Sequence, residues 1–141
     1  MNKKIKKLVS TLVLGLTLVG VFGSNASAST KVETFNTGSF NFSLGANSGT
    51  DKSSAVKKTD SIQYGAASVH GGDIMGGDYV KVWIVNFWNT QYSYQSSWIT
   101  SSYPSTYNMD YMKTGVYGDN YYLKAEQQGA QTAKINGIWE P

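Results

Sequence analysis

The sequence contains no cysteine, no arginine, two prolines and a single histidine. The absence of cysteine excludes disulfides, thiolate nucleophiles and cysteine–zinc sites. The absence of arginine removes the side chain that pairs bidentately with phosphate and guanine. The histidine, His70, has no second histidine or cysteine with which to hold zinc, and no G-x-S-x-G motif supplies a serine nucleophile. Few classes of catalytic site therefore remain open.

An uncharged hydrophobic run lies near the N-terminus. Residues 1–7 carry four of the twelve lysines, residues 8–22 carry no charge, and Ala26-Ser27-Ala28 follows. This order is typical of a helical secretory signal peptide that is cleaved after Ala28. The run is shorter than the ~20 apolar residues that a membrane span needs. We therefore expect a secreted mature chain, residues 29–141, with an uncleaved N-terminal anchor as the alternative.

Cleavage would change the charge balance. The whole chain has a formal net charge of +3, whereas residues 29–141 contain eight lysines and nine acidic residues. The net charge of the mature chain does not indicate a basic face. We therefore predict no nucleic-acid binding and no stable membrane insertion after processing. An exported chain with a lysine-rich start and no cysteine is typical of Gram-positive bacteria.

The mature chain shows alternating apolar and polar residues rather than the spacing of an amphipathic helix. Such alternation predicts strands in residues 39–44, 61–69, 79–88, 91–100 and 107–112. Residues 121–126 and 132–139 are interpreted as a closing hairpin, and residues 45–59 and 70–78 as loops. We predict one aromatic-rich, all-β domain over residues 29–141. Its expected architecture is a small antiparallel sandwich or barrel of about 6–8 strands.

The segment 79–88 has two different faces. One face is aliphatic and is predicted to lie in the core; it consists of Val80, Val82 and Ile84. The other face mixes aromatic residues with a lysine and consists of Tyr79, Lys81, Trp83, Val85 and Phe87. We expect this second face to be half exposed, or else covered by a partner sheet.

Two Gly-Gly-Asp motifs lie close together and end at Asp73 and Asp78. Both carboxylates are candidate calcium ligands, but their spacing matches no EF-hand loop, and a glycine turn is the favoured interpretation. We predict no metal and no other cofactor. The glutamates Glu33, Glu126 and Glu140 show no pairing of the kind that glycoside hydrolysis requires.

The tryptophans and tyrosines of residues 79–122 have three possible roles. Core packing is the ordinary role of aromatic residues in strands. A recognition face would instead expose rings that stack on sugars or on a protein partner. Self-association is the third role, because residues 91–111 are rich in Gln, Ser, Tyr and Asn and carry only one charge. The candidate ligand-binding residues are Trp83, Trp88, Trp98, Tyr92 and Tyr94.

Three short segments resemble a family of small secreted proteins of bacilli that is known only as a domain of unknown function. They are Val80-Lys81-Val82-Trp83 followed by Phe87-Trp88, then Tyr121-Tyr122-Leu123-Lys124-Ala125, and finally Ile135-Asn136-Gly137-Ile138-Trp139-Glu140-Pro141. The chain lacks the arginines associated with such relatives. The resemblance implies export and an all-β fold, and it brings no activity with it.

We therefore predict a non-enzymatic, secreted binding module. Its partner would be the cell wall, a polysaccharide or another protein. A secreted antimicrobial or toxin-like protein is the alternative, which small size and export support. A small hydrolase is the third hypothesis and would require a cleft with converging carboxylates.

Overall fold

A computed structural model describes residues 35–113 and 117–141, so the predicted signal peptide and Ala28 lie outside the described residues. The described residues form strands and no helix, as predicted for an all-β protein. None of them belongs to a helix long and apolar enough to cross a membrane. The eight strands are β1 (Gly38–Leu44), β2 (Thr50–Lys52), β3 (Val56–Lys57), β4 (Tyr64–Asp73), β5 (Tyr79–Val85), β6 (Ser105–Asp110), β7 (Asn120–Gln128) and β8 (Ala133–Glu140).

The strands form two antiparallel sheets. The first sheet has the order β1-β8-β4-β6, and the second is centred on β7, which pairs with β2, β3 and β5. Burial alternates residue by residue along β1, β7 and β8. Such alternation is expected when each sheet has one face on the core and the other toward solvent. The predicted antiparallel sandwich is therefore confirmed.

The core lies between the inward faces of the two sheets. Its largest fully buried side chains include Trp139, Tyr121 and Phe42. The predicted aliphatic core face of β5 is confirmed, because Val80, Val82 and Ile84 are all completely buried. Removal of this apolar surface from water is the main stabilising term, at ~25 cal/mol per Å².

Residues 91–99, the bridging segment, run along the free edge of β5 without forming the regular strand predicted there. Buried serine hydroxyls replace part of the backbone ladder: Ser96 Oγ accepts from Val82 N at 3.1 Å, and Ser93 Oγ accepts from Ile84 N at 2.8 Å. Serine side chains compete with backbone groups for backbone partners in this way. The segment is thus firmly attached to β5 although its own backbone is irregular.

The bridging segment also joins the two sheets. Tyr94 N donates to Asp110 O at 2.9 Å, and Met112 N donates to Tyr92 O at 2.8 Å, beside the end of β6. At the opposite edge of the sandwich, the backbone N–H of Ser43 in β1 donates to a carboxylate oxygen of Asp51 in β2, at 3.3 Å. Both edges of the sandwich are therefore closed by hydrogen bonds.

The predicted closing hairpin is wrong, because β7 belongs to the second sheet and β8 to the first. Both strands have one buried face, and placing them in opposite sheets lets those faces meet across the core. The connection between them is held by Asn47 N, which donates to Gly129 O at 2.9 Å, and by Gln131 N, which donates to Asp78 Oδ2 at 3.0 Å.

Two predicted loops are partly strands. The polar region 45–59 contains β2 and β3, whose positions are set by pairing with β7 rather than by their own hydrophobic pattern. The glycine-rich region 70–78 continues β4 as far as Asp73. Gly72 is required there, because a Cβ would overlap the carbonyl oxygen of Lys134 on β8. The glycine therefore permits close strand approach instead of a turn.

Candidate functional site

The surface with the most exposed aromatic rings is on the second sheet. In the register of β2, β7 and β5, alternate residues point away from the core. We call this the outer face; its strand residues are Thr50, Lys52, Tyr79, Lys81, Trp83, Val85, Tyr122, Lys124, Glu126 and Gln128. Most of them are half-buried, so their side chains lie against one another on the sheet.

One aromatic pair lies where β5 begins. Trp98, from the bridging segment, stacks on Tyr79, with ring centroids 4.3 Å apart and planes inclined by 12°. Trp98 nevertheless stays 61% exposed. One face of the indole is supported by the tyrosine, and a large part of the ring remains available to a partner. Nearby, Lys81 Nζ donates to Gln95 Oε1 at 3.5 Å.

A second aromatic pair lies just past the end of β5, in a tight turn. Asn86 holds the turn: its N–H donates to Thr90 O at 3.1 Å, and its Oδ1 accepts from Thr90 N at 2.9 Å. Asn89 adopts a left-handed φ of 62°, a conformation that asparagine tolerates well. Phe87 and Trp88 occupy the turn and are 65% and 78% exposed, with their rings in an edge contact at 5.8 Å.

Lys52 braces this turn from β2. Its Nζ donates to the carbonyl oxygen of Phe87 at 3.5 Å and lies 6.0 Å from the Phe87 ring centroid. The same ammonium group is 4.7 Å from the ring centroid of Tyr122 on β7. The turn therefore has an internal hydrogen-bond network and an external support. Both reduce the conformational entropy that Phe87 and Trp88 would lose on binding.

Trp83 does not stand exposed on this face. Its side chain is only 6% exposed, and Lys124 on β7 lies over its ring, with Nζ 5.7 Å from the centroid. The expectation of a half-exposed Trp83 is therefore wrong. The long apolar stem of a neighbouring lysine can cover a ring in this way while the ammonium stays in water. Trp83 is therefore a covered residue of the outer face, packed beneath the side chain of Lys124.

Tyr92 and Tyr94 differ from each other. Tyr92 is half-buried and packs on the core, with its ring 5.2 Å from that of Tyr121. Its candidate role in binding is thereby replaced by a structural one. Tyr94 is 60% exposed, at the joint between the bridging segment and the end of β6. Of the five predicted binding residues, Trp88, Trp98 and Tyr94 are thus exposed, and Trp88 and Trp98 lie at the two ends of β5.

The two candidate calcium ligands lie in different settings. Asp73 is an exposed residue at the end of β4. Asp78 precedes β5, and its Oδ2 accepts hydrogen bonds from Gln127 Nε2 and Gln131 N, both at 3.0 Å. Within residues 35–113 and 117–141, no group of three histidine, aspartate or glutamate residues could hold a metal ion. The carboxylate of Asp78 instead fastens the connection between β7 and β8.

A buried polar cluster lies elsewhere in the domain. Lys58 Nζ is fully buried, 2.7 Å from Asp60 Oδ1, and it donates to Pro141 O at 2.9 Å. Burial, with Tyr121 and Asp60 nearby, raises the pKa of the Tyr111 hydroxyl far above its usual range. Burial and the negative charge of Asp60 likewise raise the pKa of Glu140. Because Lys58 and Asp60 are covered and satisfied, this cluster has a structural role.

Several residues of the outer face were not among the predicted binding residues. Phe87 lies in the same predicted row of the strand as Trp83, but it is not one of the five predicted binding residues. Lys52 lies in a region that the sequence predicts to be a loop. Tyr122, Lys124 and Glu126 occupy alternate positions in the sequence, a spacing that indicates that they share one face of a strand. The pairing that brings these residues beside β5 becomes visible only in the structure.

No protein-family model matches this chain, and no curated protein matches it either. The resemblance to the secreted family of bacilli therefore stays a prediction based on the short segments quoted above.

Proposed function

We propose that this protein is a secreted, non-enzymatic binding module that attaches to cell-surface polysaccharide through its outer face and the adjoining turn. In this proposal, cleavage after Ala28 releases the domain to the outside of the cell. The observation that carries it is the exposure of two tryptophans, Trp88 and Trp98, beside the same strand. Tryptophan side chains are highly buried on average, so two strongly exposed tryptophans beside one strand are informative.

The Trp98 ring is supported by a stacking contact, and the backbone that carries Trp88 is held by hydrogen bonds. Trp98 is stacked on Tyr79, and Trp88 belongs to a turn that Asn86 and Lys52 hold in place. Rigid aromatic side chains lose little conformational entropy on binding and commonly dominate the binding energy of an interface. The two positions therefore have the properties of anchors.

Sugar rings are suitable partners for such anchors. A pyranose ring carries C–H groups on its faces, which pack against an aromatic ring and are removed from water there. Its hydroxyls need hydrogen-bonding partners, and this surface offers the amides of Gln95 and Gln128 and the hydroxyl of Thr50; Gln128 lies opposite Tyr79, and Thr50 lies opposite Glu126. This mixture of flat apolar and polar groups favours a polysaccharide.

The proposal that the protein is not an enzyme is supported by the setting of one pair of interacting carboxylates. Asp60 and Glu140 influence each other electrostatically, but Asp60 is buried, and its Oδ1 accepts from Lys58 Nζ and Ile62 N. A glycosidase needs carboxylates on either side of an accessible glycosidic bond. Because Asp60 is buried and paired with Lys58, this pair does not fit that role.

The test is co-sedimentation of the processed protein with purified Gram-positive cell walls. We expect binding that falls by about tenfold in Trp98→Ala and in Trp88→Ala, as for loss of an aromatic anchor. Tyr64→Ala is the control, because Tyr64 is an exposed aromatic residue on the first sheet. Its affinity should be unchanged. Absence of wall binding, or equal losses in all three variants, would overturn the proposal.

A further inference from the structure

Three lysines on the outer face form no ion pair with a carboxylate of residues 35–113 or 117–141. In the described part of the chain, the one ion pair is Lys58–Asp60, away from this face. Lys52, Lys81 and Lys124 instead contact aromatic rings, a carbonyl and an amide. Among the outward residues of β2, β7 and β5, Glu126 is the single acid. The face thus carries excess positive charge, although the mature chain is slightly acidic.

Two of these lysines are direct neighbours. Lys52 of β2 and Lys124 of β7 are partners in the antiparallel register. Like charges at directly opposed positions destabilise a sheet, since their Cβ atoms are only about 5 Å apart. Each ammonium group is held over a ring, Lys52 over Tyr122 and Lys124 over Trp83. This arrangement of two lysines lowers the stability of the folded domain when no ligand is bound. It also places two positive charges where an anion could pair with both.

The third lysine, Lys81, does not pair with the acidic residue that lies opposite it. Lys81 is opposite Glu126 in the β5–β7 register, yet its Nζ donates to Gln95. The carboxylate of Glu126 accepts a hydrogen bond from the amide of Gln128. Among the described residues, Lys81 therefore forms no direct ion pair with Glu126, and it lies on the same face of β5 as Tyr79.

The length of the face points to a linear polymer. Tyr79 and Val85 are six positions apart along β5, which corresponds to about 20 Å at ~3.3 Å per residue, and the Phe87–Trp88 turn follows directly. One aromatic pair lies at each end of this distance, and the lysines and polar amides lie between them. A small molecule would contact only one end.

We propose that the partner of the outer face is an anionic polysaccharide, a deepening that rests on the proposed function above. The sugar rings pack on Trp98 and on the Phe87–Trp88 turn, and the carboxylate or phosphate groups of the polymer pair with Lys52, Lys81 and Lys124. The side-chain amides of Gln95 and Gln128 and the hydroxyl of Thr50 form hydrogen bonds with the sugar hydroxyls. Charge complementarity of this kind sets the choice of partner and the rate of association.

The experiment compares two polymers with the same backbone: polygalacturonate, which is anionic, and its fully methyl-esterified form, which is neutral. The processed protein should bind polygalacturonate about tenfold more tightly, with an affinity that falls steeply as salt rises. Lys52→Gln/Lys124→Gln should abolish this preference, so that the variant binds the two polymers with equal affinity. Lys113→Gln/Lys134→Gln is the matched control, because both lysines are exposed and lie outside this face, after β6 and on β8, and it should retain the preference.

A thermal melt of each variant separates folding from binding. Lys52→Gln/Lys124→Gln should keep a cooperative unfolding transition, because relief of the like-charge repulsion offsets the loss of the lysine contacts with Tyr122 and Trp83. Equal binding of both polymers that still depends on Trp98 would overturn the anionic class while leaving the proposed function intact. No binding to either polymer or to cell walls would overturn both proposals. Tighter binding to poly-dT or to anionic lipid vesicles than to polygalacturonate would also overturn the inference.

Discussion

Trp98 lies flat on Tyr79, with 4.3 Å between the ring centroids, and this contact joins the bridging segment to the outer face of β5. Most of the indole is nevertheless in solvent. Trp83, four residues along β5 from Tyr79, is covered by Lys124 and is nearly inaccessible. The two tryptophans therefore have opposite environments, and in our proposal Trp83 serves stability and Trp98 serves recognition.

Truncation of these tryptophans should separate the roles. Trp83→Ala is expected to lower the free energy of unfolding by about 3–5 kcal/mol, because a large covered side chain is lost. Trp98→Ala removes an exposed ring and one stacking contact, and it should lower the same quantity by only about 1 kcal/mol. Urea denaturation of both variants measures this. An equal or reversed order would show that the assignment of the two rings is wrong.

The buried Lys58–Asp60 pair should be sensitive to the loss of one partner. Lys58→Met leaves the carboxylate of Asp60 buried without its cation, and it is expected to lower the free energy of unfolding by about 3–5 kcal/mol. Lys58→Met/Asp60→Asn removes both charges and should recover much of that loss. The check is chemical denaturation of the two variants. A double variant as unstable as the single one would contradict a role for charge imbalance.

The raised pKa of Glu140 predicts that the free energy of unfolding depends on pH, and it determines the sign of that dependence. Burial is the main cause, and Asp60 adds to it while Lys58 opposes it. Folding therefore favours the protonated carboxyl. Its stabilising contribution is fully present below the unfolded-state pKa of about 4.3 and is lost as pH rises through the folded-state value.

Glu140→Gln should remove this dependence, because the amide stays neutral. We expect the variant to be more stable than the parent protein at pH 7, and we expect the difference to shrink as the pH falls toward 4. Thermal melts of both proteins between pH 4 and 8 test this. A difference that stays constant across this range would rule out the titration of Glu140 as its source.

Much of the fold follows from local pattern. Residues 39–44 and the aliphatic row of β5 alternate strictly, and strict alternation arises when one face of a strand is buried. Sheet membership does not follow from the pattern, because β7 and β8 each bury one face whether they share a sheet or face each other. The predicted hairpin failed for this reason.

The site was predicted less completely than the fold. Trp88 and Trp98 were selected from their residue type, and the structure places both rings in solvent. The cover over Trp83 comes from Lys124, which is distant in sequence, and no local pattern encodes it. The positive charge of the outer face could not be predicted from the net charge of the chain, because the net charge also counts acidic residues that lie on other surfaces.

Gly137 tests the packing of β8 between β1 and β4. A Cβ at this position would overlap the carbonyl oxygen of Ser68 and press on the ring of Phe40. Gly137→Ala should therefore lower the free energy of unfolding by about 3 kcal/mol, the upper range for overpacking. Gly76→Ala is the control, because a Cβ there meets nothing within 4 Å. Comparable melting of the two variants would contradict the tight contact.

Acrylamide quenching of tryptophan fluorescence tests the central claim, that Trp88 and Trp98 contact the polysaccharide. The processed protein is titrated with solubilised cell-wall polysaccharide, and Trp88→Phe/Trp98→Phe, which keeps the covered Trp83 and Trp139, serves as the control. We predict that the polymer lowers the quenching constant of the parent protein and leaves that of the double variant unchanged. An unchanged quenching constant in the parent protein at saturating polymer would contradict the claim.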